Sequence, residues 1–188
     1  MAKNPNPQGK GLAPVMALLD ESRATARQVA AKPIEQISVE LFTSLFVLES
    51  DFRFRPVPGN TYWLYRKNSR FWLSPIGPHE WDASIYERHV GRCQLQQDLT
   101  WTLELAGSAL ADQGLMDTIE ERRRHFEAAL ESAPTVQEAL PGYQDQMPFY
   151  QRVYAFGLAH SLRASMGKSG IQSLTYQQAR GRLPPGGA

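Results

Sequence analysis

The spacing of apolar residues changes at residue 51. Before it, Ile34, Ile37, Leu41, Leu45 and Leu48 recur at steps of three and four, and Phe42 and Phe46 widen the stripe. That period predicts a helix beginning at Pro33 with a broad face to bury. A thinner helical pattern (Val15, Leu18, Leu19, Ala26, Val29) precedes it over residues 14–31. After residue 51 the step falls to two. Phe52 and Phe54 alternate with Arg53 and Arg55, Thr61 to Lys67 is aromatic and extended, and Arg70 to Ile76 is a third such run. Pro58-Gly59 fits the central pair of a type II turn, with Gly59 at positive φ, and Asn68-Ser69 fits a two-residue hairpin loop. Residues 51–76 are therefore expected to form a three-stranded antiparallel meander.

Pro78-His79-Glu80-Trp81 reads as one helical turn. Residues 84–104 have no clear period, although Leu95, Leu99 and Trp101 must pack somewhere. Helical spacing returns over residues 115–133, with Leu115, Ile119, Phe126 and Leu130 on one face. It returns again over 148–166, with Phe149, Val153, Phe156 and His160 on one side and Gly167 as the cap. The predicted fold class is α+β: a small three-stranded antiparallel sheet packed with helices, plus a C-terminal helical pair. The expected organisation is a flexible tail at 1–12, a core domain at 13–105, a helical extension at 106–180 and a flexible tail at 181–188.

The hairpin carries the most specific expectation. A loop at Asn68-Ser69 sets Trp63 opposite Ser74, Tyr65 opposite Trp72 and Lys67 opposite Arg70, all on one face. Tyr62, Leu64, Phe71 and Leu73 occupy the other, apolar face. Trp63, Tyr65, Lys67, Arg70 and Trp72 are thus expected to line one exposed aromatic and basic patch for a partner. A helix laid over the same face would make it core instead.

Charge changes this picture little. Lys and Arg number 20 against 19 Asp and Glu, so no global field draws the chain to nucleic acid. Residues 51–80 hold five basic and two acidic residues, so any such affinity would be local. The single cysteine, Cys93, allows no intramolecular disulfide, which suits a reducing compartment. The start of the chain lacks the apolar core of a signal peptide, and no run is apolar and long enough for a membrane span. A cytoplasmic protein is expected. His79, Glu80, Asp82, Glu87 and His89 match no metal-ligand spacing, and His125 and His160 lie on separate helices. Gly91-Arg92-Cys93-Gln94 is no nucleophile elbow. No metal, cofactor or catalytic residue is expected.

Three blocks in the middle of the chain carry a family resemblance. They are Gly59-Asn60-x-Tyr62-x-Leu64-Tyr65, Pro78-x-Glu80-Trp81 and Leu95-Gln96-x-Asp98-Leu99-x-Trp101. Over about residues 13–105 the chain resembles the domain-of-unknown-function 2452 family, which has bacterial and small eukaryotic members. The resemblance implies a fold neighbourhood and no activity. Gly59, Asn60, Pro78, Glu80, Trp81, Asp98 and Trp101 are read as its structural motif. The expected function is that of a non-catalytic binding or adaptor protein acting through protein–protein contacts, with a homo-oligomer also open. The alternatives are a single-strand nucleic-acid-binding accessory protein that uses the hairpin, and an enzyme of unrecognised class.

Overall fold

The structure is a computed structural model that describes residues 29–142 and 146–182 together with Ala17, Asp20 and Pro184. Of the first expected helix, Ala17 and Asp20 are helical and residues 29–31 are not. The rest of that helix, the tail at 1–12 and most of the tail at 181–188 lie outside the described residues.

Helix α1 (Ile34–Leu48) opens at Pro33, whose carbonyl accepts from Ile37 N. It buries Ile34, Ile37, Leu41, Phe46, Val47 and Leu48. Strands β1 (Thr61–Lys67) and β2 (Arg70–Ser74) follow, then β3 (Arg88–Leu95) and β4 (Trp101–Leu105). They form one antiparallel sheet in the order β2-β1-β3-β4. A single turn, α2 (Gly107–Leu110), leads to α3 (Gln113–Ser132), α4 (Phe149–Ser169) and the short α5 (Tyr176–Ala179).

The expected three-stranded meander is therefore wrong: the sheet has four strands, and residues 51–55 do not supply one of them. Asp51 alone bridges to the β2 edge, accepting from Leu73 N and donating to Phe71 O. Pro56 and Pro58 lack the N–H groups a strand would need beyond it. Side chains satisfy the neighbouring backbone instead. Gln151 Nε2 reaches Ser50 O and Phe52 O, Tyr62 Oη accepts from Val57 N, and Tyr154 Oη donates to Pro56 O.

The two unforeseen strands come from the stretch without a clear period. In β3 the pairing with β1 slips between Leu64 and Tyr65, where Gly91 and His89 are their partners and Val90 is the extra residue. This bulge puts two consecutive core positions into β3 and breaks the alternation that announces a strand. Strand β4 alternates cleanly: Trp101, Leu103 and Leu105 face the core, while Thr102 and Glu104 face away. Gly91 also sits so close to β4 that a Cβ there would lie 2.3 Å from Glu104 O.

The helices pack on the face carrying Tyr62, Leu64, Phe71 and Leu73, as expected from the register. Helix α4 turns a different side inward than its large residues suggest. Tyr154, Ala155, Leu158, Ala159, Leu162 and Met166 are buried, whereas Phe149 and Phe156 remain exposed. Buried Gly157, Ala159, Ser161 and Ser165 allow close backbone approach, and a stripe of phenylalanines would not. The helix ends at Gly170 rather than Gly167; Gly170 takes φ 68° and Ile171 N returns to Met166 O.

One core joins α1, the sheet and α4 with Leu115, Val136 and Ile171. A chain truncated after Ala111 should consequently lose its cooperative melt and bind a hydrophobic dye, because Tyr154, Leu158 and Leu162 leave the sheet and α1 uncovered. A sharp calorimetric transition from that truncated chain would refute this. Gly91→Ala should destabilise by about 1–3 kcal/mol or more in denaturant titration, since the obstacle is backbone and cannot rotate away.

Candidate binding surface on the open face of the sheet

The hairpin loop has the geometry its sequence allows. Asn68 and Ser69 take φ 49° and 63°, the left-handed pair of a type I′ turn. Trp63 pairs with Ser74, Tyr65 with Trp72 and Lys67 with Arg70. The five expected patch residues do share one face, the one opposite the helices.

They do not share one environment. Residues 75–87 fold back over the loop end of this face, and Tyr65 is fully buried beneath them, which corrects its expected exposure. Its ring lies 4.8 Å from Tyr86, 5.4 Å from Trp72, 5.5 Å from His89 and 6.1 Å from Trp81. Its hydroxyl donates to Ile76 O at 2.8 Å. Burial, with Tyr86 and Glu80 nearby, pushes the phenol up to about 12. Burial holds the His89 imidazole below its usual range, against a backbone hydrogen bond to Gly91.

Trp63 and Trp72 are half-buried, and Lys67 and Arg70 are exposed. Both cations have partners. Arg70 meets Asp51 at 2.9 Å, and Lys67 Nζ donates to the carbonyls of Ser84 and Ile85 at 3.2 and 3.1 Å. Beyond Trp63 the face continues as a polar ladder across three strands. Thr61, Gln94 and Thr102 form one rung, and Trp63, Arg92 and Glu104 the next. Arg92 and Glu104 pair at 2.8 Å. A shallow depression of about 270 Å³ lies along these rungs. Arg92 and Gln94 are not expected on this surface from the sequence, because residues 84–104 show no clear strand period.

The motif residues have structural work of their own. Gly59 takes φ 84°, as a type II turn requires, and Asn60 N closes that turn on Val57 O. Gly59 N and O also bond to Leu95 O and Gln94 Nε2, seating the turn on β3. Pro78 lies in a turn closed by Glu80 N on Gly77 O, and Glu80 Oε1 accepts from Gly77 N. Trp81 packs against Tyr65, and Trp101 is buried edge-on to Tyr62.

Asp98 holds the β3–β4 loop. Its Oδ1 accepts from Thr100 N and Oγ1, and its Oδ2 meets Lys32 Nζ at 2.7 Å. Lys32 is shared with Glu40 at the same distance. The loop is a type I turn whose next residue, Leu99, sits at φ 65°, a position glycine usually fills. Leu99 accepts that strain, on the order of 1–3 kcal/mol, while its side chain is buried in the core.

The histidines and acids of the middle segment are dispersed among local tasks. Asp82 caps the 3-10 turn Ala83–Ile85, Glu87 accepts from Asn68 N, and His160 stacks on Phe156. Cys93 faces the core, and burial raises its thiol to about 12. Among the described residues, no three His, Cys, Asp or Glu side chains gather where they could hold a metal. Nor is any described helix long and apolar enough to cross a membrane.

The segment that builds this surface also carries the family signature. Residues 44–112 match the family model described as protein of unknown function, DUF2452. The match spans the end of α1, all four strands and the loops carrying Gly59, Trp81 and Asp98. It stops before Lys32 on one side and α3 on the other. No solved structure matches the chain.

The Lys32–Asp98 contact gives stability a defined pH dependence. Burial opposes both charges, yet the mutual hydrogen bonds leave Asp98 below and Lys32 above their ordinary values. A depressed carboxyl stabilises above its unfolded pKa, near 4, and the gain is lost as pH falls through the lower folded value. A raised amine stabilises below its unfolded pKa, near 10.5, and the gain is lost as pH rises through the higher folded value. Asp98→Asn should therefore cost roughly 2 kcal/mol at pH 7, less at pH 2–3, in urea melts. An equal loss at both pH values would show that the ionised pair is not the cause.

Proposed function

We propose that the protein is a non-catalytic binding protein that engages a protein partner through the open face of its sheet. The observation carrying this reading is that Trp63 and Trp72 keep part of their rings accessible on a strand face that no described helix covers. Large aromatics left adjacent and accessible supply the anchoring area of protein interfaces. The rungs through Arg92, Gln94, Thr102 and Glu104 supply the polar surroundings such anchors use.

The pairing of the local cations bears on the kind of partner. Arg70 is matched by Asp51 and Arg92 by Glu104, and Lys67 is turned onto backbone carbonyls. A phosphate backbone would have to break those contacts, whereas a protein surface of mixed polarity would not. A buried, unactivated Cys93 and a dispersed set of histidines further support binding over catalysis. The same buried thiol fits a cytoplasmic setting, which belongs to this proposal.

Trp63→Ala combined with Lys67→Glu should abolish capture of the partner from native lysate while moving the melting temperature by no more than about 2–4 °C. Undiminished capture by the double variant would overturn the assignment of this face. A salt-sensitive gel shift with single-stranded RNA, lost in the same variant, would replace the protein partner with a nucleic acid.

A further inference from the structure

Helix α3 is anchored near its two ends. Leu115 and Leu130 are its buried residues, while Ile119 and Phe126 between them are half-buried. The middle of the helix faces α1 across a depression of about 340 Å³. Small-molecule sites run from about 300 to 1,000 Å³, with mostly apolar walls and a few polar groups. Here the walls are Phe42, Leu45 and Phe46 of α1 and Phe126 of α3, and the polar groups are Glu49, Arg122 and His125. Phe42 and Leu45 stay half-buried, although both lie on the apolar stripe of α1. Phe42 and Phe126 meet with ring centres 5.6 Å apart.

Arg122 gives this depression its chemistry. Its guanidinium carbon lies 5.4 Å from the centre of the Phe46 ring and 5.3 Å from that of Phe71, so two rings hold it in place. Its Nη1 meets Glu49 Oε2 at 3.1 Å. The other N–H groups of the fork have no protein acceptor among the described residues. We propose that the depression binds a small amphiphilic carboxylate, an alkyl or aryl chain with one acid group. The chain lies against Phe42, Leu45 and Phe126, and the carboxylate accepts from the free N–H groups of Arg122. A planar guanidinium has more than one donor edge, so it can serve Glu49 and a second carboxylate together. A cationic ligand would be repelled by Arg122 and would find Glu49 already engaged. A neutral apolar ligand would shut the free N–H groups off from water without replacing it. The site is separate from the open face of the sheet, because Phe46 and Phe71 lie on the side that the helices cover.

Decanoate titrated into the full chain in a calorimeter should bind saturably at a single site. Decanol, equal in chain length but uncharged, should bind about tenfold more weakly. Arg122→Gln should lower the decanoate affinity by a similar factor and leave that for decanol unchanged. Arg124→Gln, which removes a neighbouring exposed charge outside the lining, should change neither. Leu45→Trp fills the depression and should abolish binding of both, with the melting transition still cooperative. Absence of saturable binding would overturn the proposal. So would equal affinities for acid and alcohol, an equal loss in the Arg124 variant, or full binding by the Leu45 variant. All of these variants leave Trp63, Trp72 and Lys67 in place, so this result and that for the open face stand apart.

Discussion

The pairing of β1 with β3 is the contact on which the rest of this structure depends. It is non-local and joins the two halves of the sheet, and the next pairing, β3 with β4, is permitted by one residue. Gly91 stands opposite Leu64 with no space for a Cβ beneath the backbone of Glu104. Because β3 is bulged there, Val90 enters the core while His89 turns to the other face beside Tyr65. Tyr65 can then be enclosed by Trp72, Trp81 and Tyr86, so the fold of residues 75–87 follows from the bulge. The Gly59 turn is likewise seated on Leu95 and Gln94, which only this pairing supplies.

The family signature is best understood through these supports. Gly59, Pro78, Glu80 and Asp98 build turns, and Trp81 and Trp101 fill the two sides of the sheet. Asp98 and Trp101 line one open depression with Lys32 and Glu40, and the other motif residues lie elsewhere. The matched segment is a scaffold of four strands and their loops, and parts outside it complete that scaffold. Lys32 reaches Asp98 from before α1, and α4 supplies Gln151 and Tyr154 to the irregular stretch between α1 and β1. The chain outside the match is thus part of the same core.

The two sheet faces divide the labour. One is closed by α1 and α4 and carries the stability. The other is crossed by residues 75–87, beside which Trp63, Trp72 and a charge-balanced polar ladder stay partly accessible.

Local chemistry determined what lay close together in sequence. The step of three and four placed α1, the Pro-Gly pair placed Gly59 at positive φ, and Asn68-Ser69 fixed the hairpin register to the residue. Which hairpin residues share a face was therefore legible from the sequence alone. What covers that face was not, because Trp81, Tyr86 and His89 reach Tyr65 only through the tertiary path of residues 75–87. The alternation of Phe52 and Phe54 suggested a strand, but the prolines and the competing hydrogen bonds from α4 decided against it. In β3 the bulge erased the period, whereas β4 kept a clean alternation that could have been read. The large residues of α4 suggested the wrong buried side, since close helix packing selects for small residues, and that selection exists only once the partner surface is in place. Short-range order follows from propensity and spacing along the chain; burial and strand order follow from which distant surfaces meet.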